Sequence, residues 1–144
     1  MWSWLTEWWR QRRGMLPEHL REGLWGEAEA ERYLRRLGWR ILGRRVRIGR
    51  DELDLVARHG EILVFVEVKT RRDESMGRPF AAVDRGKRRS LSRAAMRYLN
   101  KLPTRPSFFR FDVLEVIGKA EQGVPCIRHI ENAFTLGPRY RVYW

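Results

Sequence analysis

The chain has a single cysteine, Cys126, so no internal disulfide holds it together and the scaffold of a small disulfide-rich secreted protein is excluded. Its three histidines, His19, His59 and His129, show no zinc-ligand spacing with that cysteine. No apolar run approaches the ~20 residues of a membrane-spanning helix. No repeat, low-complexity tract, phosphate-cradling glycine loop or Ser-His-Asp order is visible either. Acids are scarce: 18 stand against 30 bases, giving a formal net charge of +12 and a sequence pI near 11.1. These absences predict a cytoplasmic protein with no integral membrane association and a polyanionic partner, nucleic acid above all. Arginine supplies 26 of the 30 bases, a bias that a GC-rich genome produces without selection for binding, although its planar fork suits phosphate contact.

What is present fits one domain of 144 residues with room for an adequate core. The reading divides it into a Trp/Arg-rich segment at 1–16, a main domain at 17–136 and a basic aromatic tail at 137–144. In the first segment Trp2, Trp4, Leu5, Trp8 and Trp9 precede Arg10, Arg12 and Arg13, without the continuous apolar core of a signal peptide. As a short helix it would pack on its own domain or on a second copy, or touch a membrane surface or DNA.

The densest chemistry lies between Asp51 and Thr70. Val, Ile, Leu and Phe dominate 62–68, the composition of a buried strand, and His59-Gly60 reads as the turn from a preceding apolar strand. Acids and a lysine inside such a hairpin are costly unless they pair, bind a metal or face a cleft. Side chains two apart on a strand share a face, so Glu67 and Lys69 point one way and Val66 and Val68 the other. With His59-Gly60 as a two-residue loop, Asp54 stands opposite Phe65 and diagonal to Glu67, roughly 7–8 Å away at Cα. Two carboxylates at that spacing suit Mg²⁺, with Mn²⁺ as a substitute, and the Val68 carbonyl offers a third oxygen. Lys69 beside the cation would hold a phosphate or orient the attacking water, the division of labour of phosphodiester hydrolysis. The same Glu-x-Lys spacing also describes a solvated ion-pair face.

Residues 17–38 read as a helix opened by Pro17 and stopped by Gly38, with Leu20, Leu24, Ala30, Leu34 and Leu37 forming its apolar stripe. Glu27 falls near the middle of that stripe and Glu31 almost as close, so periodicity alone does not choose between them as a site acid.

Gly26-Glu27-x2-Ala30, Gly38-Trp39-x-Ile41-Leu42, Glu52-Leu53-Asp54-Leu55, Val64 to Arg71, Gly77-x-Pro79 with Ala82-Val83 and Lys87, Tyr98-Leu99, Arg110-Phe111-Asp112 and Asn132-Ala133-Phe134 occur in this order. Together they resemble the YraN-like family of small bacterial endonuclease-like proteins, from about residue 22 to 135. That family is similar to the archaeal Holliday-junction resolvases. The resemblance implies an α/β, restriction-endonuclease-like fold with a mixed central sheet flanked by helices. It also implies a site of Glu27, Asp54, Glu67 and Lys69, so it favours Glu27 over Glu31, with Glu27 binding the metal directly or through water. By the same analogy the substrate is structured DNA, branched or flap, and the protein is a homodimer, since two symmetric cuts need two sites. The rival expectation is a non-catalytic nucleic-acid-binding accessory module in recombination or DNA uptake, whose acids only organise the fold.

Two positions depart from the family pattern. Asp51 stands where a glycine is usual, which suggests a different local bend, and Arg45 stands where asparagine is usual. Basic clusters flank the presumed site: Arg44, Arg45, Arg47 and Arg50, then Arg71 and Arg72, then Arg85, Lys87, Arg88 and Arg89. Of these, Arg44, Arg45, Arg47, Arg71, Lys87 and Arg88 are the candidate phosphate contacts. Binding through six to ten such contacts falls roughly 10³- to 10⁵-fold between 50 and 200 mM salt. Residues 84–101 read as an amphipathic helix with Leu91, Ala94, Ala95, Tyr98 and Leu99 inward. Phe108 to Ile117 reads as a strand with Asp112 in a structural place, and a hairpin loop at 118–123 leads into a strand from Val124 to Ile130.

Overall fold

The structure, a computed structural model, describes residues 16–73 and 83–136. The tryptophan-rich segment before residue 16, the Gly77 to Pro79 loop with Ala82, and the tail from 137 lie outside the described residues.

Helix α1 spans Glu18–Arg36 and is entered through Pro17, whose φ of −52° is already helical. Glu18 lies in its first turn and Arg35 and Arg36 in its last, each sign matched to the helix dipole. Only the middle of the expected stripe is covered. Gly26, Ala30 and Leu34 are buried, whereas Leu20 and Leu37 are 44% and 50% exposed, so the helix ends stand clear of the sheet.

Five strands follow: β1 Arg40–Ile48, β2 Asp51–His59, β3 Ile62–Arg71, β4 Phe108–Ile117 and β5 Cys126–Phe134. Helix α2, Arg85–Lys101, lies between β3 and β4 in the chain. The strands form one mixed sheet in the order β1-β2-β3-β4-β5. All neighbours are antiparallel except β3 and β4, which run parallel and therefore need the long crossover that contains α2. This is the α/β architecture that the sequence led us to expect.

Period-two alternation on β3 and β4 makes two cores. Val64, Val66, Val68, Leu114 and Val116 pack with Ala30 and Leu34 of α1. Leu63, Phe65, Phe111 and Val113 pack with Leu91, Ala94, Ala95 and Leu99 of α2. The helices thus cover opposite faces, and the β3 strand in the middle is buried from both sides, which explains its nearly continuous apolar run.

The β2–β3 register differs from the sequence expectation. His59 pairs with Ile62 and Leu55 with Val66, so Gly60-Glu61 makes the turn rather than His59-Gly60. Val56, not Asp54, stands opposite Phe65. A shift of two residues keeps every side chain on its face. Asp54 then lies just past the last pair, Leu55 with Val66, close enough to Glu67 for the two carboxyl groups to interact. Strand β5 begins later and runs further than the alternation suggested, with a register irregularity facing Asp112 where Asn132 takes φ 50°.

Candidate functional site

The paired ladder of β2 and β3 ends at Leu55 and Val66. Past that point the N–H of Val68 is taken by a side chain: it donates to Asp54 Oδ2 at 2.9 Å. A strand residue's N–H and C=O point to the same side, so the Val68 carbonyl opens on the same gap.

Glu67 sits across this gap, 4% exposed, on the face that carries Leu63 and Phe65 and packs under α2. Its Oε1 lies 3.2 Å from Lys87 Nζ, an ammonium in the first turn of α2. Its Oε2 is buried and takes no N–H or hydroxyl hydrogen bond from a described residue, so a protonated Asp54 carboxyl is the neighbour able to share a proton with Glu67. Burial and, next, the charge of Glu67 push the Asp54 carboxyl up to about 7, against the Val68 N–H and Lys87, which pull it down. Burial would lower the Lys87 ammonium, but Glu67 first, then Asp54 and Glu52, outweigh it and hold the ammonium above the usual lysine range. Two carboxylates held this close in a largely buried place are hard oxygen donors of the kind a dication accepts, and Lys87 is the cation that meets one of them here.

Lys69 belongs to the Glu67 face by alternation, is half-buried, and makes no ion pair or hydrogen bond with a described residue. Glu27 stands apart from this pair. Gly26 carries no Cβ where one would come within 1.8 Å of Thr70 Oγ1, so α1 approaches β3 closely there and sets Glu27 at the sheet edge. The Glu27 carboxylate accepts from Arg45 Nε at 2.7 Å and Nη2 at 3.2 Å. Arg45 also lies within the electrostatic reach of Asp54. Among the described residues no three His, Cys, Asp or Glu side chains converge closely enough to hold an ion. The structure therefore brings Asp54, Glu67 and Lys87 together and leaves Glu27 one arginine away. The other helix acid, Glu31, is clasped by Arg35 and Arg44.

The remaining candidate phosphate contacts are all engaged within the protein. Arg47 reaches Glu52 at 3.4 Å and is otherwise open to solvent. Arg88 donates to the Val83 carbonyl and lies over the Phe134 ring. Arg71 pairs with Glu115 at 3.2 Å.

Both departures from the family pattern have physical accounts. Arg45 adopts φ 45°, a left-handed conformation that asparagine takes more readily, and there its side chain pairs with Glu27. Asp51 does not bend the backbone, because the left-handed residue of that turn is Gly49, at φ 60°. Asp51 instead opens β2 and accepts from Arg93 of α2 through two bonds of 2.7 Å.

One buried acid escaped the sequence reading. Glu115 is 1% exposed, is the register partner of Lys69, and neither of its oxygens has a hydrogen bond of good geometry. The signal was available: Glu115 continues the alternation Phe109, Phe111, Val113, the same acid-on-an-apolar-face pattern that singled out Glu67.

The model of the family described as "Uncharacterised protein family UPF0102" matches residues 26–116. Among similar chains, a UPF0102 protein of Symbiobacterium thermophilum is 46% identical over 114 residues, covering 79% of this chain and 96% of its own length. Another from Syntrophotalea carbinolica is 43% identical over 120 residues, covering 83% of this chain and 96% of its own. A third, from Geobacter sulfurreducens, is 45% identical over 114 residues, covering 79% and 88%. The matched span contains Glu27, Asp54, Glu67, Lys69 and Lys87.

Proposed function

The chain belongs to uncharacterised protein family UPF0102, and from that membership and the geometry of its paired acids we propose that it is a divalent-metal-dependent endonuclease acting on structured DNA. The observation that carries this reading is the close carboxyl pair, a buried Glu67 whose Oε2 takes no N–H donor among the described residues beside an Asp54 whose carboxyl is pushed up to about 7. Hard oxygen donors of this kind fit Mg²⁺ or Mn²⁺, which need only one or two protein carboxylates. Asp54 and Glu67 would hold the ion, with the Val68 carbonyl as a third oxygen and Glu27 reached through water. When bound, the ion supplies polarisation of a phosphodiester and activation of water. Asp54 is anchored at one oxygen by accepting the Val68 N–H. Lys69, on the Glu67 face with no ion-pair partner among the described residues, would position the scissile phosphate or the attacking water, and its ammonium would stabilise charge gathering on phosphate oxygens. The arginines of β1 and α2 would carry the flanking backbone, placing a duplex without reading its bases.

The rival reading, a binding module whose acids serve the fold, draws on one observation: Glu27 has its arginine and Glu67 its lysine. Incubation of the purified protein with labelled duplex, single-stranded, flap and four-way-junction DNA in Mg²⁺, Mn²⁺ or EDTA separates the two. Metal-dependent cutting that vanishes in Asp54→Asn is the expected result. Binding without cutting in either metal would put the binding module in its place.

A further inference from the structure

Lys87 holds an unusual position. Among the described residues it is the one cation paired with a nearly fully buried Glu67, and it meets a single oxygen, leaving the other without an N–H donor. Its main chain is fixed, because the Lys87 N–H donates to the Asp84 carboxylate that caps α2, at 2.8 Å. Its side chain is 38% exposed and meets Glu67 at the end of a four-carbon stem with rotatable bonds. Arg88 and Arg93, its neighbours on α2, are pinned to Val83 and Asp51.

We propose that Lys87 is a displaceable stand-in for the metal: its ammonium neutralises Glu67 in the metal-free protein, leaves when a divalent cation binds, and then contacts a backbone phosphate. This rests on the nuclease reading above and adds to it an order of events. A buried carboxylate pair without a counter-ion is costly, so the metal-free site needs a cation of its own. A dication and an ammonium on one carboxylate repel each other, and only the ammonium has a hinge. Its exit leads to solvent, on the helix that also carries Arg85 and Arg89. Metal and DNA would therefore bind with positive coupling, each improving the other by the same factor.

The test uses the full chain at one fixed pH. Mn²⁺ binding by calorimetry should be tighter in Lys87→Met than in wild type, by about tenfold, within the usual range of couplings between sites. Arg89→Met, which removes the same charge from an exposed position on the same helix, should leave Mn²⁺ affinity within about twofold, since charges at that distance are screened. DNA affinity is then measured against salt in Ca²⁺ and in EDTA, with the DNA checked to be uncut. With Ca²⁺ the slope of log affinity against log salt should be shallower in Lys87→Met by about 0.9, one phosphate contact, and in EDTA the two proteins should coincide. Equal or weaker Mn²⁺ binding by Lys87→Met would overturn the exchange, as would a slope difference that is the same with and without Ca²⁺. If wild type binds and cuts while Lys87→Met gains no metal affinity, the exchange alone fails. A wild-type protein that takes up no Mn²⁺ overturns the metal site and the exchange together.

Discussion

Asp112 and Glu67 occupy the two faces of one point in the sheet: Glu67 pairs in register with Val113, the residue after Asp112. Both are nearly or fully buried, but their surroundings are opposite. Asp112 accepts from Arg110 through two bonds of 2.9 and 3.1 Å, lies 2.8 Å from His129 Nε2, and takes the Asn132 N–H at 2.9 Å. Burial pushes its carboxyl up, but the bonds from His129, Arg110 and Asn132 outweigh it and hold the carboxyl below the usual range. Across the sheet, the carboxylates of Glu67 and Asp54 crowd each other and one oxygen takes no N–H donor among the described residues. A fully satisfied carboxylate is a structural element: it clamps the irregular stretch of β5 at Asn132. An unsatisfied pair stores unfavourable energy in the fold, which binding of a cation would release.

Removing each acid should therefore move stability in opposite directions. Asp112→Ala should cost about 3–5 kcal/mol in urea unfolding, because it takes the shared acceptor from the half-buried Arg110, His129 and the Asn132 N–H and leaves Arg110 only Glu131 among the described acids, 3.7 Å away. A cost under about 1 kcal/mol would show that Asp112 is not the clamp described here. Next in size is the metal itself. At a hundredfold excess over its Kd, Mg²⁺ or Mn²⁺ should raise wild-type unfolding free energy by about 2.7 kcal/mol at pH 8. The same ion should do little for Asp54→Asn, and an equal shift in that variant would place the ion elsewhere.

Smaller again is the metal-free effect of Asp54→Asn. The amide keeps an acceptor for the Val68 N–H and removes the repulsion with Glu67, so stability at pH 8 should rise by roughly 1–2 kcal/mol. The pH profile fixes the sign. The unfolded Asp54 loses its proton near 3.8 and the folded one near 7, so between those values the folded state binds the extra proton. Wild-type stability should fall as pH rises from about 4 to 7 and level off above it, and the slope should flatten in Asp54→Asn. Asp112 acts the other way: its contribution is complete above the ordinary carboxylate range and is lost as pH drops through its lowered folded value. Profiles of wild type and Asp54→Asn that superimpose from pH 4 to 8 would contradict the raised carboxyl.

The architecture was legible because its strongest signals are local. Pro17 and Gly38 bracket α1, Asp84 caps α2, and β4 occupies the expected span from Phe108 to Ile117. The closeness of Asp54 and Glu67 survived a two-residue error in the turn, although Leu53 and Leu55 pack into different cores and so break the alternation of β2 at Asp54. What alternation could not give was which cation each acid meets. Glu27 and Glu31 looked equivalent on the helical wheel, and strand β1 separates them by supplying Arg45 to one and Arg44 to the other. Lys87 reached Glu67 because the parallel β3–β4 pairing sends the crossover, and α2 with it, over the face that Glu67 occupies. That is a tertiary fact with no trace in spacing.

The smallest stability effect should come from Lys69, and it sharpens the comparison most. Lys69 and Lys87 both lie on this face, and of the two only Lys87 has a carboxylate of a described residue within ion-pairing distance. With no described partner to lose, Lys69→Met should change stability by no more than about 0.5 kcal/mol and leave the metal-induced shift intact. Cleavage should nevertheless fall by roughly 10²- to 10³-fold, the usual loss when one preorganised donor to a developing charge is removed. The pattern separates a lysine that serves the reaction from one that serves the metal-free fold. Should Lys69→Met instead lower the unfolding free energy by more than about 1 kcal/mol, it would share the buried-charge role of Lys87, and Glu115, its partner across β3 and β4, would be the acid it meets.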